Sequence, residues 1–413
     1  MTPKILLVTT CCWPSTARLA MALVNAGCRV EMVCPNGHPI VKTRVSSAIY
    51  RYRALAPLRS ISAALTVAQP QLVIPCDDLA TSSLHALHAV APRVTTEFAA
   101  IRDLIERSLG PASSFPTVIA RSRLISLARE QGITVPATSV VRTEEELTSW
   151  CMRNGFPAVL KTDGSYGGRG LRIVKTPSEA RRALQALKAP PSMRRAIKRA
   201  LINGDQSYLR PCLLRTPAVV NAQGFVAGHD ATSAVACWQG SVLASIYVIV
   251  LRTMGPYGPS SVVRISDSHE VSAAIAKIVS ALRLSGMVGF DFIVEDRTDR
   301  AYLIEMNPRA TQIGHLMLGE GKDLAAAIFG AISQTSAQRT PSVTSQEVIA
   351  LFPQEWLRDS TSSFLRAAYH DVPWEEPELV CSSLREPLAA RAWSALTSKI
   401  QVTRNLARKM SSF

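Results

Sequence analysis

Asp291, Glu305 and Asn307 are the residues in this sequence whose types and spacing most directly suggest chemistry. Val288, Phe290, Phe292 and Val294 alternate, so they share one face of a predicted strand and Asp291 takes the other. In the segment 301–306 and the residue after it, Leu303, Glu305 and Asn307 share a face by the same alternation. The polar stretch Glu295-Asp-Arg-Thr-Asp-Arg300 joins the two segments, which predicts an antiparallel hairpin. With the turn centred near Thr298, Asp291 lies opposite Glu305. Facing carboxylates repel each other and weaken a sheet. A divalent cation would remove the conflict, and oxygen donors without His or Cys suit Mg²⁺, with Mn²⁺ as the alternative ion. On this reading, removing the Glu305 charge should relieve the metal-free hairpin. The plainer alternative is a face whose charges are simply hydrated.

A second constellation is Lys161-Thr-Asp-Gly-Ser-Tyr-Gly-Gly-Arg-Gly170, between predicted strands 157–162 and 171–174. Gly164, Gly167, Gly168 and Gly170 let backbone N–H groups approach an anion closely, and Lys161 adds a point charge. No G-K-[S/T] follows and the next element is a strand, so this is not a Walker A loop. Taken alone, the loop is equally readable as a flexible hairpin.

Together these residues resemble the ATP-grasp superfamily over roughly residues 115–335. The resemblance rests on the order Arg121, Lys161 with its glycine loop, Gln223 to Asp230, Asp291, and Glu305-Met-Asn-Pro-Arg309. It implies that Lys161 reaches the nucleotide and that the glycine loop is a lid over the phosphates. Arg121, eleven residues before Gly132, takes a nucleotide-binding place where the family has Lys and sometimes Arg. Asn221-Ala-Gln-Gly-Phe-Val-Ala-Gly-His-Asp230 is similar to the family's hinge, so Gln223 and nearby backbone would face adenine and Asp230 the ribose. Asp291, Glu305 and Asn307 match magnesium ligands, and Arg309 matches an arginine that steadies a carboxylate or acyl phosphate. Gln at 223 and Asp at 230 each replace a Glu of the family pattern. Thr311-Gln-Ile-Gly-His-Leu316 differs from the Q-V-E-H of biotin-dependent carboxylases, which argues against carboxylase chemistry.

The resemblance implies an ADP-forming ligase that joins a carboxylate to an amine or thiol through an acyl phosphate, with Lys161 and Arg309 catalytic. The alternative is an inactive, ATP-binding regulatory protein on the same scaffold. The expected fold is α/β: an α/β domain over 1–115, an ATP-grasp fold of two α+β subdomains over 116–340, and a C-terminal extension over 341–413.

Several elements must position these residues. Residues 4–10, 29–34 and 71–75 read as strands, and Pro14-Ser-Thr16 opens a helix that Gly27 ends. Asp77-Asp78 follows a strand end, where it could cap a helix or touch substrate; capping is the better reading. Thr143-Glu-Glu-Glu146 and Thr176-Pro-Ser-Glu179 are capping boxes. Asp267-Ser-His-Glu270 opens a helix with Val271, Ile275, Ile278, Val279 and Leu282 on one face. His315 reads as structural rather than as an acid or base. The segment 388–410 reads as a basic helix with Trp393, Leu396, Ile400 and Leu406 on one side; docking on its own protein suits it better than membrane contact.

Composition limits the classes. The chain has 413 residues, 47% hydrophobic and 19% charged, so it is globular with room for more than one domain. The nine cysteines show no C-x-x-C, which suits reduced thiols in the cytoplasm. Met1–Thr10 reads as a strand rather than a leader, and no apolar run approaches a membrane span. The net charge of +15 divides as +5 over 1–115, +10 over 116–340 and zero over 341–413. Arg181, Arg182, Lys188, Arg194, Arg195, Lys198 and Arg199 form an acid-free cluster, readable as a solvated helical face or an anion site. Nucleic acid is not expected, since no aromatic interleaving or nucleic-acid motif accompanies the charge. The expected partners are ATP and small carboxylate and amine substrates.

Overall fold

The structure is a computed structural model that describes residues 2–90, 96–163, 170–189, 193, 218–335 and 341–384. It contains three sheets. The first is parallel, in the order β3-β2-β1-β4, from β1 (Lys4–Val8), β2 (Arg29–Cys34), β3 (Ser46–Arg51) and β4 (Leu72–Pro75). Ile5, Leu6, Leu7 and Val8 are all fully buried, because helices cover both faces of a parallel sheet. The strand order reverses between β1 and β4, where such sheets open a crevice beyond their carboxyl ends. β3 escaped the sequence reading because its Ser46-Ser-Ala-Ile-Tyr-Arg51 carries only a weak apolar alternation.

The second sheet is antiparallel, in the order β5-β8-β6-β7: β5 (Thr138–Val140), β6 (Ala158–Thr162), β7 (Leu171–Val174) and β8 (Val220–Gly224). Both expected capping boxes form beside it. Thr143 Oγ1 accepts from Glu146 N at 3.2 Å, and Thr176 Oγ1 from Glu179 N at 3.2 Å. The helices they start, Glu144–Asn154 and Pro177–Lys188, pack Leu147, Trp150, Leu184 and Leu187 against Leu160 and Ala222. Arg181 and Arg182 lie on the exposed face of the second helix, and Lys188 Nζ donates to the Arg142 carbonyl at 2.6 Å. Arg194, Arg195, Lys198 and Arg199 lie outside the described residues, as does the segment 388–410.

The third sheet has seven strands in the order β13-β12-β9-β10-β11-β14-β15. They are β9 (Gly228–Trp238), β10 (Ser241–Thr253), β11 (Ser260–Ser266), β12 (Gly286–Glu295), β13 (Ala301–Asn307), β14 (Val348–Leu351) and β15 (Tyr369–Asp371). Phe290 and Phe292 face the helix His269–Ala281 and its Val271, Ile275, Ile278 and Val279, as the period-two and helical patterns predict. The opposite face shares a core with the first sheet: Ala234, Ile246 and Val248 join Ile5, Leu7, Leu19, Leu23 and Ile328. β14 and β15 lie in a stretch that reads as irregular in sequence, yet β14 pairs with β11 and β15 runs parallel to β14. Among the described residues no helix is long and apolar enough to cross a membrane.

The β12–β13 hairpin forms in the expected register, with Asp291 opposite Glu305 and a bulge immediately after Asp291. Gly289 lies opposite Asn307. A Cβ at 289 would sit 2.3 Å from Thr311 Cγ2, so the absent side chain lets the segment after β13 cross the sheet. Gly289→Ala should therefore lower stability by about 1–3 kcal/mol, the usual cost of overpacking. Urea unfolding measures it, and an unchanged midpoint would show that Thr311 yields freely.

Candidate active site

The site lies where the second and third sheets face each other, and each sheet supplies half of it. β6 ends in Lys161-Thr162, and Asp163 follows. The helix Arg121–Glu130 brings Arg121 to the same place. Arg121 Nη2 donates to Glu305 Oε2 at 2.5 Å, and Nη1 reaches Asp163 Oδ1 and the Thr162 carbonyl, both at 3.3 Å. Lys161 Nζ stands 3.8 Å from the same Glu305 oxygen. Asn221 Nδ2 on β8 donates to Asp163 at 2.8 Å and fixes that carboxylate. Burial would push the Glu305 carboxyl up, but Arg121 and then Lys161 outweigh it and hold it at about 2. Burial lowers the Lys161 pKa, and Glu305 opposes that shift.

Asp291 is satisfied differently. Its Oδ1 accepts from Thr232 Oγ1 at 2.8 Å and its Oδ2 from Asn307 Nδ2 at 2.9 Å. Burial, reinforced by the Glu305 charge, raises Asp291 to about 6 despite these two bonds. The expected repulsion is therefore real, but cations hold Glu305 and neutral donors hold Asp291. These contacts argue for the opposite of the relief expected on loss of the Glu305 charge, since buried Arg121 would lose its charged acceptor.

From Asn307 the network continues. Arg309 Nη2 donates to Asn307 Oδ1 at 3.2 Å, and Arg309 Nε donates to Asp78 Oδ1 at 3.1 Å. The guanidinium carbon of Arg309 lies 5.8 Å from the centroid of the Trp13 ring. Asp78 opens the helix Asp78–Val90 beyond β4, and Trp13 follows β1. Asp77 does the capping: its Oδ1 accepts from Ala80 N at 2.8 Å, and its Oδ2 from Thr10 N at 2.5 Å. The Asp pair thus divides its work, with Asp77 structural and Asp78 turned to Arg309.

The remaining predicted residues are placed unevenly. Gln223 is buried, and its Nε2 donates to Thr138 Oγ1 at 3.2 Å and to the Ile304 carbonyl at 3.4 Å. Its side-chain nitrogen is thus engaged inside the protein, where it links the second sheet to β13. Asp230 is exposed near the start of β9; partial desolvation raises its pKa, and the Lys161 charge opposes that. Gly170 is buried, and its carbonyl accepts from Thr162 N at 2.9 Å. Gly164, Gly167 and Gly168 lie outside the described residues. Asp163, Asn221, Thr232 and Trp13 were not singled out from sequence. Asp163, inside the glycine-loop segment, and Asn221, at the start of the hinge segment, carried a local signal; Thr232 and Trp13 carried none.

Two carboxylates and one amide oxygen on adjacent strands make an all-oxygen donor set. Among the described residues no cluster of three or more His, Cys, Asp or Glu could by itself cage a metal. That combination fits Mg²⁺, which takes one or two carboxylates and completes its shell with water and phosphate oxygens.

His315 is structural, as expected. Its Nε2 lies 2.7 Å from Asp371 Oδ2 and its Nδ1 2.9 Å from the Gln312 carbonyl. Arg18 Nη2 donates to the other Asp371 oxygen at 2.6 Å. Burial would raise the Asp371 carboxyl, but Arg18 and His315 outweigh it and hold it at about 2.

Residues 124–312 match the family model of an ATP-grasp domain. The chain is also similar to several solved structures. The biotin carboxylase domain of 2-oxoglutarate carboxylase from Hydrogenobacter thermophilus, solved with MgADP, ADP and bicarbonate, aligns at TM-score 0.58 and 15% identity over 83% of this chain and 72% of that one. N5-carboxyaminoimidazole ribonucleotide synthetase from Thermus thermophilus aligns at 0.56 and 17% over 82% and 80%. N5-carboxyaminoimidazole synthase from Aspergillus clavatus, solved with ADP and 5-aminoimidazole ribonucleotide, aligns at 0.59 and 14% over 83% and 80%. At these identities the likeness carries the fold.

Two predictions follow from the charges. Glu305→Gln should cost about 1–3 kcal/mol of stability in chelator, because Arg121 loses a charged acceptor; relief of the contact with Asp291 returns only about 0.2–1 kcal/mol. Urea titration decides it, and a stabilised variant would show that repulsion dominates. Asp371→Asn should cost about 3–5 kcal/mol at neutral pH, as breaking a buried pair does. The Asp371 pKa is depressed in the fold, so its contribution is complete above the ordinary carboxylate value near 4 and fades as pH falls toward about 2. The gap between the two proteins in urea stability should narrow over that window, and a constant gap would contradict the ion pairing.

Proposed function

The chain carries an ATP-grasp domain, and on that premise we propose that it is an ATP- and Mg²⁺-dependent ligase. It joins a carboxylate to an amine, or to a thiol, through an acyl phosphate and releases ADP and phosphate. One observation carries this reading: Lys161 and Arg121 converge on Glu305 directly opposite Asp291, with Asn307 and Arg309 next in line. Nucleotides in two of the related structures support it. The adjacency of Asp291, Glu305 and Asn307 supports this reading over the inactive alternative, because adenine binding alone would need none of the three.

The roles follow from position. Asp291, Glu305 and Asn307 would hold Mg²⁺, or Mn²⁺, which when bound supplies charge neutralisation at phosphate oxygens. Lys161 and Arg121 are held on Glu305 without ligand, so phosphate oxygens can compete for the same two cations. Arg309, braced by Asp78 and Asn307, would hold the substrate carboxylate and the acyl phosphate formed from it. Asp230 would take the ribose hydroxyls. Backbone groups near Gln223 would face adenine, its side-chain nitrogen being used internally. Gly164, Gly167, Gly168 and Gly170 would close over the phosphates.

The division at residues 115 and 340 belongs to the same proposal, with β14 and β15 of the last part extending the nucleotide-binding sheet. We place the chain in the cytoplasm, in keeping with the free thiols of its described cysteines.

Turnover should yield ADP and phosphate; AMP and pyrophosphate on nucleotide chromatography would exclude an acyl phosphate. Lys161→Ala should weaken MgATP binding about tenfold or more in calorimetry, on the scale of one charge-assisted contact. Wild-type affinity in that variant would remove Lys161 from the nucleotide site.

A further inference from the structure

A cleft of about 560 Å³, counting its open mouth, runs from Glu305 and Arg121 to the first turn of the helix Asp78–Val90. Its polar groups differ at the two ends. Arg121, only 9% exposed in its side chain, lines the inner end with its partners Asp163 and Glu305, and its Nε has no hydrogen-bond partner among the described residues. At the outer end stand Asp78 and Ser82. Asp78 is 25% exposed, and only its Oδ1 is engaged by Arg309. Ser82 Oγ donates to the Asp78 carbonyl, which leaves its lone pairs to accept. Between the ends the wall is apolar, from Val118, Ile119, Leu124 and Met306. Among the described residues Arg121 is the only cation lining the cleft, and it stands at the inner end.

We propose that this cleft is the acceptor subsite of the ligase, and that it takes an unphosphorylated amine with an apolar body, its ammonium group held by Asp78 and Ser82. The assignment rests on the ligase reading and narrows its acceptor from amine or thiol to amine. An ammonium group needs oxygen acceptors, and the outer end offers a carboxylate and a hydroxyl. A phosphate or second carboxylate there would face Asp78, and among the described residues the one cation beside it, Arg309, is assigned to the acyl phosphate. The contact series Asp291, Asn307, Arg309, Asp78 runs unbroken from the metal-binding oxygens to this subsite. An amine at Asp78 therefore lies beside the arginine assigned to the acyl phosphate. Before attack the ammonium gives one proton to Asp78. The nitrogen lone pair then forms the C–N bond as the acyl C–O bond to phosphate breaks; phosphate departs with that electron pair and takes the second nitrogen proton, which leaves a neutral amide.

Calorimetry on the full chain with saturating MgADP tests this, using 2-phenylethylamine and O-phosphoethanolamine as probes. The expected result is binding of 2-phenylethylamine at least about tenfold tighter than O-phosphoethanolamine, the scale of one charge-assisted contact. Asp78→Asn should lose that preference. Because Asp78 also braces Arg309, a second variant is needed: Ser82→Arg, on an exposed helix position, should abolish amine binding while MgADP affinity stays. Tighter binding of the phosphorylated amine, no amine binding by the wild type, or unchanged amine affinity in Ser82→Arg overturns the subsite. Failure of the wild type to bind MgADP overturns the ligase reading instead.

Discussion

The site depends on the contact of Glu305 with Arg121 and Lys161. Two strands place Asp291 and Glu305 side by side, and a sheet does not tolerate that arrangement without compensation. The compensation comes from outside the hairpin. One cation is carried by β6 and the other by a helix at the edge of the second sheet, so satisfying Glu305 also draws the two sheets together over the cleft. Asp291 is left to neutral donors and to a raised pKa. The same electrostatic problem thus organises the carboxylate face of the hairpin and the approach of Lys161 and Arg121 to it.

Packing fixes the other half. The segment after β13 has no regular secondary structure, yet it must hold Arg309 in place. Gly289 lets it pass over the sheet, and the Ala310 N–H donates to the Pro75 carbonyl at 2.9 Å. Thr81 Oγ1 donates to the Pro308 carbonyl at 2.7 Å, Gln312 Nε2 to the Ser260 carbonyl at 2.7 Å, and His315 is clasped by Asp371. Asp371 in turn holds Arg18 of the first helix. Four distant parts of the chain therefore converge on one short loop. This explains why the parallel sheet shares a continuous core with the seven-stranded sheet rather than standing apart from it.

The proposed chemistry uses this rigidity. Phosphoryl transfer asks mainly for positioning and for charges fixed in advance, since the covalent work belongs to the nucleotide and the acid. Arg309, with its guanidinium shared by Asp78, Asn307 and the Ala310 carbonyl, has little freedom left to reorganise. Lys161 and Arg121 differ in kind: they rest on Glu305, whose hold on them a second anion can contest.

The sequence by itself determined the local features. Alternation set the faces of the hairpin and hence the opposed carboxylates. Thr-x-x-Glu spacing set two helix starts, and the order of Lys161, Asp291, Glu305 and Arg309 pointed to the superfamily. These signals are legible because strand and helix periodicity and capping act over a few residues. Tertiary structure alone decided the partners. Arg121 meets Glu305 across 184 positions, Arg309 meets Asp78 across 231, and Arg18 meets Asp371 across 353. No period or spacing records such pairings. Thr232 and Trp13 carried no signal for the same reason, and β14 and β15 found their places only because β11 offered an unpaired edge. Sequence read the two carboxylates as a conflict awaiting a metal; only the fold could show that the protein's own cations already hold one of them.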